Sequence, residues 1–191
     1  IIADQTDMRV GGEADNGIAA LELLRKQNWD IAVIDISMPG RVGLDILKEI
    51  KSERPKLPVL VLSMHPEDQY ALRALRAGAA GYITKESAPD ELVSAIRKIL
   101  RGRKYVSESL AQKMANELGG ENERSLHEQL SDRELQVLCK IASGKTVSEI
   151  GKELSLSVKT ISTYRARILE KMNMKNNAEL THYAITSKLV E

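Results

Sequence analysis

Four apolar residues, Ile31-Ala32-Val33-Ile34, run without alternation into Asp35, and Ser37-Met38-Pro39-Gly40 follow almost at once. Mostly β-branched and without a period of two, the run predicts a strand buried on both faces, the kind found inside a helix-covered parallel sheet. Proline fixes φ and glycine permits φ > 0, so the chain must turn after the strand. Asp35 therefore stands at the strand's C-terminal end, where an open α/β sheet presents its ligand-binding edge. A carboxylate held there can bind a cation or accept a phosphoryl group, or it can merely begin the loop.

The sequence on either side repeats this alternation of apolar run and amphipathic stretch. Val59-Leu60-Val61-Leu62-Ser63 is a second continuous run, and Gly81–Thr84 a shorter one leading into Lys85. Ile1-Ile2-Ala3-Asp4 reads as the last half of a buried strand ending in an acid, and Met8–Gly11 as another strand. Helices are expected at about 16–27, 42–53, 70–77 and 88–100, their apolar residues recurring at helical spacing. Strands alternating with helices imply an α/β, doubly wound parallel sheet. One link is too short. Parallel neighbours need a crossover of about a dozen or more residues, yet only Gln5-Thr6-Asp7 separate Asp4 from Met8. A loop and a first helix are therefore expected to be missing between Asp4 and Gln5.

Composition excludes several classes. Among 191 residues, 28 Lys and Arg against 27 Asp and Glu leave a net charge of +1, so any basic patch must be local. A single cysteine, Cys139, rules out an intramolecular disulfide framework and suits a reducing cytoplasm. It lies in a helical apolar pattern and reads as an inert core thiol. No apolar run has the length of a membrane span, and the first residues do not form a signal peptide. With no phenylalanine and one tryptophan, Trp29, aliphatic side chains must build the cores.

Past residue 103 the pattern changes. A short helix is expected over Ser107–Leu118, and Gly119-Gly120 with the polar run 121–124 reads as a flexible connection, so 104–127 is taken as a linker. Ser131-Asp132-Arg133-Glu134 is a capping box opening a helix to about Ser143, and Thr146-Val147-Ser148-Glu149 repeats it. Ser155-Leu156 make a tight turn, Ser157 caps a longer helix at 158–172, and a last helix spans about 178–189. Two short helices joined by a brief turn form a helix-turn-helix pattern, giving a small all-α second domain. On the longer helix Ile161, Tyr164, Ile168 and Met172 share the inward face. Lys159, Thr163 and Ala166 fall opposite, flanked by Ser162 and Arg167. Small and polar side chains there suit a major groove, while Ser157, Thr160 and Lys171 near the helix ends suit phosphates. Residues 131–191 hold ten Lys and Arg and seven Asp and Glu, hence +3, a balance compatible with DNA. An ordinary solvated helix face would show the same spacing.

Asp4, Asp35, Ser63 and Lys85 would converge on one sheet edge, where two acids suit Mg²⁺ and the lysine ammonium a phosphoryl group. At this point the first half resembles the receiver domain of bacterial two-component response regulators. Ile34-Asp35-Ile36-Ser37-Met38-Pro39-Gly40 matches the phosphoacceptor motif, and Leu62-Ser63 and Gly81-Tyr82-Ile83-Thr84-Lys85 match the switch hydroxyl and the lysine turn. The resemblance covers about residues 1–103. It implies a five-stranded, flavodoxin-like sheet of order 2-1-3-4-5 and Asp35 as the phosphorylated residue. It also implies Asp4, Asp35 and the Ser37 carbonyl as Mg²⁺ ligands, and Tyr82 as the switch aromatic. Asp4 departs from the pattern because the family places two adjacent acids there and Gln5 follows instead. Residues 128–191 resemble the LuxR-type output domain of FixJ/NarL-like regulators, through 130–138 and Ile150 to Ile161. By that resemblance Ser162, Thr163 and Ala166 align with base-reading positions.

The combination implies a cytoplasmic transcription regulator rather than an enzyme, phosphorylated on Asp35 by a sensor histidine kinase and acting on double-stranded promoter DNA as a homodimer. Two other readings stay open from the residues: an aspartyl-phosphate phosphatase, whose usual Asp-x-Asp has Ser37 in its second place here, and a metal-free interaction module.

Overall fold

The computed structural model describes residues 1–36, 43–64, 66–118 and 125–190, and the chain divides into two compact units, Ile1–Glu121 and Asn122–Glu191. The division falls within the expected linker, 104–127.

In the first unit, strands β1 (Ala32–Asp35), β2 (Val59–Ser63) and β3 (Gly81–Thr84) form a parallel sheet in that order. Asp35 stands opposite Leu62 and Ser63 opposite Thr84, so the three C-terminal ends share one edge. Helix α1 (Gly17–Lys26) precedes β1, α2 (Gly43–Glu53) joins β1 to β2, and α3 (Glu67–Arg76) joins β2 to β3. Helices α4 (Ala88–Leu100) and α5 (Glu108–Leu118) follow. Asn16 caps α1 by accepting from the Ala19 amide at 2.9 Å. The central strand explains the continuous apolar run: Val59, Leu60 and Val61 are all fully buried. On α2 the stripe Leu44, Leu47 and Ile50 is buried as its spacing requires. Leu60 and Ile83 pack with Ala95, Ile96 and Ile99 of α4.

The N-terminal expectations need correction. The sequence passes directly from Asp4 to Gln5. Ile2–Asp4 forms a 3₁₀ turn and Met8–Gly11 pairs with no strand among the described residues, so the described sheet has three strands rather than the expected five. Three residues cannot return the chain to the start of a parallel neighbour. Ile2 and Met8 still find apolar cover against the α4 side of the core, which satisfies their hydrophobicity without a ladder. Helix α3 also begins three residues before the expected Tyr70, and Ser37 and Val42 lie outside the described residues.

The second unit is helical: a 3₁₀ turn (Leu126–Gln129), α6 (Asp132–Ala142), α7 (Val147–Leu154), α8 (Val158–Lys171) and α9 (Asn177–Thr186). Both capping boxes close as the sequence implies. Ser131 accepts from the Glu134 amide while Glu134 accepts from the Ser131 amide, and Thr146 and Glu149 repeat the exchange. Between α7 and α8 the chain turns through Ser155 in the left-handed region, φ 54°, and the Leu156 amide donates to the Gly151 carbonyl at 2.8 Å. Leu135, Leu138, Ile150, Ile161, Ile168 and Leu180 are buried at the centre.

Candidate functional site

Two places carry the chemistry. The first is the C-terminal edge of the sheet. Strand β1 delivers Asp35 to that edge, and Lys85, one residue past β3, reaches back so that its Nζ lies 2.6 Å from Asp35 Oδ2. The Lys85 amide donates to the Ser63 carbonyl at 2.7 Å, which fixes where the lysine leaves the sheet. Thr84 Oγ1 accepts from the Ser87 amide at 3.1 Å and shapes the turn behind it. Ser63 ends β2 with no exposure at all. Tyr82, buried on β3, shares a hydrogen bond with Ser63. Burial pushes the Tyr82 phenol well above its ordinary value; the Ser63 hydrogen bond opposes the shift, and the Glu67 and Asp35 carboxylates add to it.

Asp35, Ser63, Tyr82 and Lys85 are thus brought together, and Asp4 is not placed at a strand end with them. It sits on the 3₁₀ turn with 83% of its side chain exposed. Ser37 lies outside the described residues. A nucleophilic carboxylate oxygen beside a fixed ammonium and a buried hydroxyl is an arrangement that can accept a transferred dianionic group and neutralise it. The bond from the Ser87 amide to Thr84 escaped the sequence reading, although a strand-end threonine followed three residues later by serine is a readable turn signal.

The second place is α8. Ile161 and Ile168 are fully buried and Met172 nearly so, while Lys159, Ser162, Thr163, Ala166 and Arg167 are exposed on the other side. Tyr164, expected inward, is half-buried. Ser157 caps the helix, its Oγ accepting from the Thr160 amide at 3.0 Å and pairing with Thr160 Oγ1 at 2.8 Å. Ser162 and Thr163 donate their hydroxyl protons to the carbonyls of Val158 and Lys159, leaving their oxygens as outward acceptors. The Lys159 and Arg167 side chains make no hydrogen bond or ion pair with the described residues. Arg165 Nε donates to Asn177 Oδ1 at 2.6 Å, which ties α8 to the start of α9.

Lys171 takes a different part from the one its position suggested. Its Nζ lies 2.6 Å from Glu134 Oε2, and that carboxylate is buried. Burial alone would push the Glu134 carboxyl up, but the Lys171 ammonium and the Ser131 amide and hydroxyl outweigh it and hold it below the usual carboxylate range. Nothing in the one-dimensional pattern links residues 37 positions apart, although an acid in a capping box that reappears buried needs a cation from somewhere.

A parallel α/β unit with an aspartate, a hydroxyl and a lysine on its ligand edge, followed by a capped helix-turn-helix unit, defines a regulator whose DNA-binding half is coupled to a receiving half. The comparisons specify the class. The response regulator receiver domain matches residues 1–97, and the bacterial regulatory proteins of the luxR family match residues 128–184. The chain belongs to the two-component response regulators that join a receiver domain to a LuxR-type output domain, a family of DNA-binding transcriptional regulators and not of enzymes. It is 38% identical over 186 residues to the response regulator UvrY of Escherichia coli, covering 97% of this chain and 85% of that one. It is 35% identical over 192 residues to the response regulator GacA of Pseudomonas aeruginosa, covering 100% and 90%. Among solved structures it is similar to RcsB from Salmonella enterica serovar Typhimurium, bound to promoter rprA in the presence of the phosphomimetic BeF₃⁻. That likeness has a TM-score of 0.62 at 28% identity and covers 95% of this chain and 88% of that one. Membership sets aside the phosphatase reading. Among the described residues no helix is long and apolar enough to cross a membrane.

Proposed function

We propose that Asp35 accepts a phosphoryl group from a phosphohistidine of a sensor histidine kinase and that this modification governs binding of promoter DNA by α8. The Asp35 oxygen attacks phosphorus, the P–N bond breaks, and the departing imidazole nitrogen keeps the electron pair and takes a proton. The observation that carries the reading is the 2.6 Å approach of Lys85 Nζ to Asp35 beside buried Ser63. That ammonium is already aimed where charge arrives, and the Ser63 hydroxyl, at the end of the adjacent strand, would donate to a phosphoryl oxygen. A dimer on two half-sites in the cytoplasm completes the proposal. Ser157, Lys159, Thr160, Ser162, Thr163, Ala166 and Arg167 face the duplex, and the similarity to RcsB, solved bound to promoter DNA, supports a DNA-binding role for this unit.

Mg²⁺ is the expected companion of such a pocket. Among the described residues, however, no group of three His, Cys, Asp or Glu is placed to hold a metal ion, and Asp4 is turned to solvent. The described donors do not make up the expected ligand set, and no step here is routed through the ion.

The full chain incubated with acetyl phosphate, in Mg²⁺ and separately in EDTA, tests the reading by intact mass. A stable gain of one phosphoryl group, lost in Asp35→Asn, is expected; no gain in either buffer returns the chain to an interaction module. Comparing the two buffers shows whether the ion is needed. In titrations with promoter DNA, Lys159→Ala and Arg167→Ala should each weaken binding and lower the salt slope by about one phosphate contact. Unchanged affinity and slope in both would remove α8 from the interface.

A further inference from the structure

Residues 104–118, expected to behave as linker, are built into the receiver unit at several points. The Tyr105 amide donates to the Ala80 carbonyl at 2.9 Å, and Tyr105 lies in a parallel bridge with Gly81 at the outer edge of β3. The bridge is close enough that a Cβ on Gly81 would stand 2.8 Å from both Tyr105 Cβ and Tyr105 O. The Tyr105 hydroxyl donates to Glu91 Oε2 of α4 at 3.0 Å. Beyond it Ser107 caps α5, accepting from the Leu110 amide at 3.1 Å, and Leu110 is almost wholly buried. The same Ser107 hydroxyl donates to Glu67 Oε2 of α3 at 2.5 Å, and Ser109 Oγ lies 3.5 Å from that oxygen.

Glu67 is the first residue of α3, four places after Ser63, and its carboxylate is near enough to the Tyr82 phenol to act on it electrostatically. One acidic side chain therefore faces the start of the linker helix and the aromatic beside the acceptor pocket. We propose that Glu67 is the joint between the receiver and its linker: its carboxylate holds α5 through Ser107 and Ser109, and a change in the Ser63–Tyr82 pair draws it away. The coupling follows from proton counting, and this step rests on Asp35 being the phosphoryl acceptor. A serine hydroxyl has one hydrogen. When Ser63 donates it to a phosphoryl oxygen, Tyr82 loses that partner. The phenol oxygen, no longer held by that donor, is free to turn its own hydrogen toward the Glu67 carboxylate, whose charge already acts on it. Donation from Tyr82 competes with donation from Ser107, and α5 is released from α3 while its own cap stays intact.

Hydrogen exchange of the full chain, read on peptides covering 105–118 and on β2 and β3 as an internal control, tests the joint. Glu67→Ala leaves the Ser107 cap untouched. It should speed exchange in 105–118 about tenfold, with the sheet unchanged and Glu67→Gln closer to the parent. After acetyl phosphate treatment the parent should show the same local increase, and Glu67→Ala no further one. If Glu67→Ala leaves 105–118 unchanged, or speeds the sheet equally, the joint is wrong whatever happens at Asp35. A failure to gain mass on Asp35 overturns the phosphorylation reading separately, because the unphosphorylated comparison still decides whether Glu67 holds α5.

Discussion

Lys171 shows how a residue's surroundings outweigh its place on a helical wheel. It stands in the last turn of α8, where a cation favours the helix dipole and also suits a DNA phosphate. Its ammonium instead answers a carboxylate that is 4% exposed. Removing the cation leaves Glu134 buried with only the Ser131 amide and hydroxyl as close donors, so Lys171→Ala should destabilise the second unit by about 1–3 kcal/mol. The pH dependence has a definite sign. The Glu134 carboxyl is held below its usual value in the folded protein. Its stabilisation is therefore present above the unfolded-chain value, about 4.3, and is lost as pH falls through the lower folded value. Without Lys171 burial dominates and the carboxyl rises, so acid unfolding followed by helix circular dichroism should shift to higher pH. The salt slope for DNA should meanwhile change less than in Lys159→Ala or Arg167→Ala. A slope change as large as theirs, with stability intact, would return Lys171 to the phosphates.

At the scale of elements, the turn between α7 and α8 depends on one small residue. An added Cβ at Gly151 would stand 2.8 Å from the Leu156 carbonyl oxygen, a backbone atom that also lies in the αL turn at Ser155. A side chain can swing away from such a clash, but this carbonyl cannot move without moving the first turn of α8. Gly151→Ala should therefore cost about 1–3 kcal/mol in urea unfolding. It should weaken DNA binding more than an equally destabilising change elsewhere in the unit, because the exposed face of α8 is re-aimed. The helices here were legible because their signals are local: capping boxes at Ser131 and Thr146, an N-cap at Ser157, and apolar spacing at Ile161 and Ile168. Strands β1, β2 and β3 were legible for the same reason, being continuous runs between turn formers. The N-terminal runs read just as strongly as strands yet formed none, since pairing also needs a connection long enough to cross the sheet. Within the site, the closeness of Asp35, Ser63 and Lys85 follows from parallel strands ending on one edge. The Glu134–Lys171 and Glu67–Ser107 contacts depend on helix packing across 37 and 40 residues, which no periodicity encodes.

Taken whole, the two units differ in how completely their apolar surface is covered. The second closes four capped helices around a buried centre. In the first, β1 pairs only with β2 among the described residues. A groove of about 950 Å³ in the same unit is lined by Leu23, Trp29, Val33, Leu62 and Ile96. Val33 is 43% exposed there and Ile18, on α1, 62%. Apolar side chains left in water forfeit burial, which makes this side of the unit a weak point. The receiver unit should therefore unfold before the output unit. The sequence supplies its own reporter: Trp29 is the single tryptophan, and it lies in the first unit with its indole Nε1 donating to the Leu23 carbonyl at 3.3 Å. In a urea titration of the full chain, tryptophan fluorescence should report a single early transition, while helix circular dichroism, which sums both units, should show two steps. The first dichroism step should coincide with the fluorescence change, and Gly151→Ala should shift only the second. Coincident single transitions by both probes would mean that these exposed apolar side chains carry no such penalty and that the units unfold as one.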